Sequence, residues 1–180
     1  MATPFDSAVD RLPDLAAWTT SKSCFLFGPR QTGKTFLIRR TLPKARVYDL
    51  LDTAVWLSLS HNPGRLAEEL TARDELVVID EVQRLPQLLN EVHRLIEERG
   101  ARFLLTGSSA RSLRRGGVNL LGGRARTHYL HPLTCRELGE RFELPRAIER
   151  GLLPSIYFSD DPRADLDAYS GTYLQQEIVA

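Results

Sequence analysis

Gly28-Pro29-Arg30-Gln31-Thr32-Gly33-Lys34-Thr35 stands between the apolar run Cys24-Phe25-Leu26-Phe27 and the apolar triplet Phe36-Leu37-Ile38. The octet fits G-x-x-x-x-G-K-[ST] at every constrained position, and a buried strand before it with a helix after it is the setting in which that pattern cradles phosphate. A chance match in a chain of 180 residues has a probability on the order of half a percent. Backbone N–H groups converge on a β-phosphate only where glycines remove side chains that would clash or permit a positive φ. The helix that follows points its partially positive end at the same anion. The expected ligand is therefore a nucleoside triphosphate, ATP with Mg²⁺, held by Gly28, Pro29, Arg30, Gln31, Thr32, Gly33, Lys34 and Thr35. In that reading Lys34 reaches the β- and γ-phosphates and the Thr35 hydroxyl ligates Mg²⁺.

Outward from the loop, strand and helix alternate. Arg46 to Leu50, Leu76 to Ile79, Arg102 to Thr106 and Arg126 to Leu130 read as further strands, and Arg65 to Ala72 as a helix. The helix after the loop closes at Pro43. From Pro86, the residues Leu88, Leu89, Val92, Leu95 and Ile96 set one apolar stripe on a helix that ends at Gly100. Such alternation requires crossover connections, so the expected fold is α/β: a P-loop NTPase, a three-layer α/β/α sandwich around a mostly parallel five-stranded sheet. Sites in such folds lie beyond the carboxyl ends of the strands. At the start of the chain, Phe5, Val9, Leu12, Leu15 and Ala16 fall at helical spacing, interrupted by Pro13. After Pro132 the pattern turns helical again, with Thr134 as cap for Cys135 to Phe142 and Asp165 to Val179 as a last helix. No stop signal precedes the end at Glu177-Ile178-Val179-Ala180.

Leu76-Val77-Val78-Ile79 delivers Asp80 and Glu81 at its carboxyl end, where the sheet is expected to open on the nucleotide. Asp80 is assigned to Mg²⁺ and Glu81 to the polarisation of an attacking water. Without the phosphate loop upstream, the same pair reads as a solvated strand end that caps the next helix. Phe103-Leu104-Leu105 ends in Thr106-Gly107-Ser108-Ser109, which brings a hydroxyl to the same edge. Thr106 is the candidate to sense the γ-phosphate or the water, while Ser108 or Ser109 reads as a helix N-cap. Arg111, Arg114, Arg115, Arg124 and Arg126 follow among glycines. Arg124 and Arg111 are the candidates for an arginine finger, in this subunit or from a neighbour in a homo-oligomer. A solvated basic face, or phosphate contacts to DNA, reads the same way.

Composition bounds the alternatives. With 42% hydrophobic residues the chain can bury one sizeable core. Its 24 basic and 23 acidic side chains leave a formal charge of +1, which gives no global electrostatic case for nucleic acid or membrane. Cys24 and Cys135 lie far from any metal-ligand spacing and read as reduced thiols. No apolar run approaches the roughly 20 residues of a spanning helix, and no secretory signal opens the chain, so a cytoplasmic protein is expected. N-K-x-D, the guanine-reading motif, does not occur.

Gly28 to Thr35, Val77 to Glu81 and Leu104 to Ser109 together resemble the Walker A, Walker B and sensor-1 elements of an AAA+-type ATPase. More closely, the chain resembles a prokaryotic family of AAA-type ATPases through GPRQTGKT at 28–35, VVIDEVQ at 77–83, LLTGSSARSL at 104–113, NLLGGRA at 119–125, PLTCRELG at 132–139, GLLP at 151–154 and the helix from Tyr169 to Ile178. The resemblance implies that the strand carrying Thr106 lies between the phosphate-loop strand and the acidic strand. It implies hydrolysis rather than phosphoryl transfer, since Glu81 supplies a base for water. Gln83 belongs to the family's local pattern with no assigned role. The resemblance sets a P-loop ATPase core at 1–132 and a helical extension at 133–180 that begins a longer C-terminal region. The expected function is Mg-dependent ATP hydrolysis that drives a conformational change. Its competitor is a nucleotide-gated module that recruits DNA or protein through the arginine-rich segment with little hydrolysis.

Overall fold

The apolar run ahead of the phosphate loop is β1 (Ser23–Phe27), and every residue of it is buried. The computed structural model describes residues 9–115 and 121–173. They pack as two compact units: 14–28 with 34–115 and 121–130, and 9–13 with 29–33 and 131–173.

In the first unit β1 joins β2 (Arg46–Asp49), β3 (Leu76–Asp80), β4 (Arg102–Gly107) and β5 (Ala125–Tyr129) in one sheet of order β2-β3-β4-β1-β5. Every pairing is parallel. β4 lies between β1 and β3, as the family resemblance implies. The register pairs Phe27 with Gly107 and Asp49 with Asp80, so these strands end along one edge.

Side-chain alternation explains why the central strands are apolar without a break. Phe25, Phe27, Val77, Ile79, Phe103 and Leu105 face one core, with Leu59, Leu66, Leu88, Leu89, Val92 and Leu95 from helices packed on it. Cys24, Leu26, Val78 and Leu104 face the other, with Leu15, Leu37 and Ile38. Helices therefore cover both faces: α1 (Leu15–Thr19) and α2 (Lys34–Thr41) on one, and α3 (Thr53–His61), α4 (Arg65–Glu69), α5 (Leu88–Arg99) and α6 (Ala110–Arg115) on the other. This is the three-layer α/β/α sandwich of a P-loop NTPase, with the sheet wholly parallel.

Several elements differ from expectation. The first described helix begins after Pro13, where the Asp14 carboxylate accepts from Ala17 N, and the proline marks its start rather than a kink within it. Phe5 lies outside the described residues. α3 has no counterpart in the sequence reading, because Val55, Trp56, Leu57 and Leu59 crowd together and only Leu59 is buried, which leaves no clean stripe. α4 stops at Glu69, since Leu70 is already extended.

The second unit holds α7 (Cys135–Leu138), α8 (Leu144–Arg150), α9 (Pro154–Tyr157) and α10 (Pro162–Tyr173). Thr134 caps α7 as expected, in a reciprocal capping box with Glu137. The helix predicted as far as Phe142 breaks at Gly139, whose φ of 53° belongs to the left-handed region, and continues as a 3₁₀ turn to Arg141. Val9, Leu133, Leu138 and Tyr157 form the core of this unit. α10 opens on Pro162, three residues before the predicted start, and the predicted stretch from residue 174 lies outside the described residues. No helix among the described residues is long and apolar enough to cross a membrane.

Candidate functional site

At the carboxyl edge of the sheet one carboxylate gathers three elements. Asp80 ends β3 and is 1% exposed. Its Oδ2 accepts from the Thr35 hydroxyl, in the first turn of α2, at 2.7 Å. Its Oδ1 accepts from the hydroxyl of Thr106 on β4. The same Thr106 oxygen accepts from the Glu81 N–H at 3.1 Å. Lys34, the first residue of α2, is buried and donates its Nζ to the Gly28 carbonyl at 2.7 Å. Lys34, Thr35, Asp80, Glu81 and Thr106 are thus brought together, with α2 presenting its positive end beside them. A hydroxyl and a carboxylate side by side form the oxygen donor set that a hard divalent cation prefers, so these residues fit Mg²⁺.

Glu81 carries a backbone irregularity. It sits at φ 60°, ψ 44°, a left-handed conformation that costs a non-glycine residue roughly 1–3 kcal/mol. The turn after it is a 3₁₀ helix, Val82–Arg84, anchored by the fully buried Val82. Gln83, on that turn, donates its amide to the Glu81 carboxylate.

The two loop glycines are there for different reasons. A Cβ on Gly28 would overlap the Leu130 carbonyl oxygen, because Leu130 N donates to Phe27 O at 2.7 Å and draws that backbone in. Gly33 has open space around it and instead takes φ +87°.

The stretch Pro29–Gly33 belongs to the second unit. Thr32 is fully buried and donates its hydroxyl to Pro29 O at 2.8 Å, while Gln31 sits at φ 63° and accepts from the Ser155 hydroxyl at 2.6 Å. The Thr32 carbonyl accepts from Arg11 Nη1 at 2.6 Å. Arg11 Nη2 donates to His131 O at 2.7 Å and its Nε to Glu137 Oε1 at 2.8 Å. Burial opposes ionisation of Glu137, but the bonds from Arg11, Leu12 N and Thr134 N hold its carboxyl below the ordinary value. Neither Arg11 nor Glu137 stands out in the sequence: 126 positions separate them, and no local pattern couples them. Arg30 is exposed.

The arginines divide. Arg111 is exposed in the first turn of α6, which opens three residues after β4 ends at the carboxyl edge. Arg124 precedes β5, whose register begins at Ser23 opposite Ala125, so it lies at the amino-terminal ends of the strands. Five strand residues at ~3.3 Å each separate that end from the edge carrying Asp80. Its guanidinium pairs with Glu97 in the last turns of α5. Register and ion pair together take Arg124 out of the same-chain site and correct that half of the expectation. Arg114 and Arg115 have side chains outside the described residues.

Compared with known proteins, residues 20–139 match the family described as AAA domain. Among solved structures the chain is similar to domain III of the Thermotoga maritima replication initiation protein DnaA, at 18% identity over 97% of this chain and 90% of that one, with a TM-score of 0.42. It is also similar to the Aeropyrum pernix ORC1 protein in complex with DNA, at 17% identity over 86% of this chain and 55% of that one, with a TM-score of 0.43. A signal transduction ATPase with a tetratricopeptide repeat sensor from Pyrococcus horikoshii is similar at 16% identity over 92% of this chain and 27% of that one, with a TM-score of 0.44. Scores this low leave the fold to be read from the sheet itself and from the family match. No curated protein matches the chain.

Proposed function

The chain belongs to the AAA domain family, and on that premise we propose that it binds ATP with Mg²⁺ and hydrolyses it, coupling nucleotide state to a conformational change. The observation that carries the reading is the 2.7 Å hydrogen bond between Thr35 and Asp80. It sets the hydroxyl of the phosphate-loop motif against the carboxylate of the acidic strand, 45 residues away in sequence.

In this reading the loop from Gly28 to Thr35 receives the triphosphate, and Lys34 carries positive charge to the β- and γ-phosphates. Thr35 and Asp80 are the residues that would hold Mg²⁺, which supplies charge neutralisation across those phosphates when bound. Glu81 takes a proton from a water whose oxygen bonds to the γ-phosphorus. The bond from that phosphorus to the bridging oxygen breaks, and ADP leaves with the electron pair. Thr106 links the metal-side carboxylate to the backbone of the base. Arg124 as the finger would act across a second copy of the chain and make activity depend on assembly, whereas Arg111 is the same-chain candidate.

Mg-ATP turnover over a range of protein concentrations tests this, with nucleotide binding measured separately. Lys34→Ala is expected to lose binding. Glu81→Gln is expected to bind and to turn over about 10²- to 10⁴-fold more slowly. A chain that binds ATP but is inactive at every concentration is instead a nucleotide-gated module for a DNA or protein partner, and a chain that does not bind ATP overturns both readings.

A further inference from the structure

Gln83 lies two residues beyond Glu81 and takes no part in the scheme above, yet its placement is costly. Its Nε2 donates to Glu81 Oε2. Its Oε1 is buried and has no hydrogen-bond partner among the described residues. A buried acceptor without a donor costs roughly 1–3 kcal/mol, about what the bond to the Glu81 carboxylate returns, so an apolar side chain of the same length would hold this turn no less well. The opposite orientation of the amide is worse, since it sets Oε1 against the Glu81 carboxylate.

The amide reaches this position because the residue beside it is glycine. A Cβ on Gly107 would come within 2.5 Å of Gln83 Oε1, with Gln83 Cδ and Phe27 Cε1 at 3.5 Å. Gly107 follows Thr106 on β4, whose hydroxyl already holds the Glu81 N–H. Glu81 is therefore fixed at both ends, its backbone by Thr106 and its carboxylate by Gln83, in a left-handed conformation that its own preferences oppose.

We propose that Gln83 is a positioning residue that aims the Glu81 carboxylate, and that Gly107 is glycine to admit the Gln83 amide. The kinetic consequence rests on the hydrolysis reading; the hydrogen bond itself does not. Placing a base about 1 Å off its geometry costs up to about 100-fold in rate, whereas the orphaned acceptor costs stability. A residue kept for the first at the expense of the second has a distinctive signature when replaced.

The experiment uses Gln83→Met, Gly107→Ala and the double variant. Gln83→Met is expected to melt no lower than the wild type, to keep its KM for ATP and to lose about 10- to 100-fold in kcat. Gly107→Ala, whose Cβ displaces only the mobile end of Gln83, is expected to lose kcat to a similar degree, and the double variant no more than either single one. Independently of turnover, the Gln83 side-chain amide, assigned by its disappearance in Gln83→Met, is expected to exchange with solvent at least about tenfold faster in Glu81→Ala. Wild-type kcat in Gln83→Met, or a kcat loss accompanied by an equal loss of stability, overturns the positioning role. Unchanged amide exchange in Glu81→Ala overturns the contact. If the wild type is itself inactive, the hydrolysis reading falls alone, and the exchange measurement still decides whether Gln83 holds Glu81.

Discussion

The hydroxyl of Thr106 donates to Oδ1 of Asp80, so one side chain ties β4 to the end of β3 where the acidic pair begins. The same oxygen accepts from the Glu81 N–H, which makes the tie two-sided around a fully buried Thr106 side chain. Thr106→Val keeps the shape and removes both bonds. Leaving a buried carboxylate oxygen and a backbone N–H unpaired, it is expected to cost about 2 kcal/mol, while Thr106→Ser stays within ~1 kcal/mol of the wild type. Urea denaturation checks this, and equal stability of Thr106→Val and wild type would remove the structural half of the residue's role.

The two glycines of the phosphate loop are expected to fail in different ways. Gly28→Ala forces a methyl into the Leu130 carbonyl, and neither backbone can yield without parting the ends of β1 and β5. A loss of about 3 kcal/mol or a failure to fold is expected. Gly33→Ala meets no atom but holds an alanine at φ +87°, for a cost of about 1 kcal/mol. Thermal melts of the two variants should rank in that order, and the reverse ranking would contradict the packing of Leu130 against the loop.

How much the sequence revealed depends on whether the controlling physics is local. The strands were legible because a sheet buried on both faces demands unbroken apolar runs, and Val77-Val78-Ile79 and Phe103-Leu104-Leu105 satisfy that demand. The loop was legible because it compresses its geometry into eight consecutive residues. α3 was not, since it buries little more than Leu59 and so carries no stripe. Nothing in the spelling of Asp80-Glu81-Val82-Gln83 marks Glu81 as left-handed, because the bond that holds its backbone comes from Thr106, 25 residues away, and the local one from Gln83 reaches only its carboxylate. Arg124 read as a finger for either subunit, and the register of β5 with the ion pair to Glu97 separates the two.

Tyr48 offers a test at alkaline pH. Burial, then its hydrogen bond to Glu69 and the charge of that carboxylate, push its phenol up to about 12. The hydroxyl donates to Glu69 Oε2 at 3.0 Å. A folded-state value raised above the unfolded one gives stability that is fully present below about pH 10 and is lost as the pH rises through the folded value. Tyr48→Phe lacks the titrating group. The stability advantage of the wild type over Tyr48→Phe is therefore expected to shrink between about pH 10 and about pH 12 by denaturant titration, and a constant difference would mean that the phenol is not held as described.

Arg11 and Glu137 give the second unit its own acid-sensitive tie. Their side chains are 5% and 3% exposed, and the guanidinium gives two further donors to the carbonyls of Thr32 and His131. Arg11→Ala leaves a buried carboxylate without its cation and is expected to cost about 3–5 kcal/mol. Because it also frees the Thr32 carbonyl inside the phosphate loop, nucleotide affinity is expected to fall with it. Arg11→Lys supplies a charge but cannot reach three acceptors with one planar fork, so it is expected to recover part of the stability and little of the affinity. Glu137 sets the pH dependence: its folded value lies below the unfolded one, so its contribution is present above about pH 4.3 and is lost as the pH falls through the folded value. Melting temperatures of wild type and Glu137→Gln should differ most near neutrality and converge below about pH 4; a gap that stays constant down to pH 3 would show that the ionised carboxylate is not what Arg11 recognises.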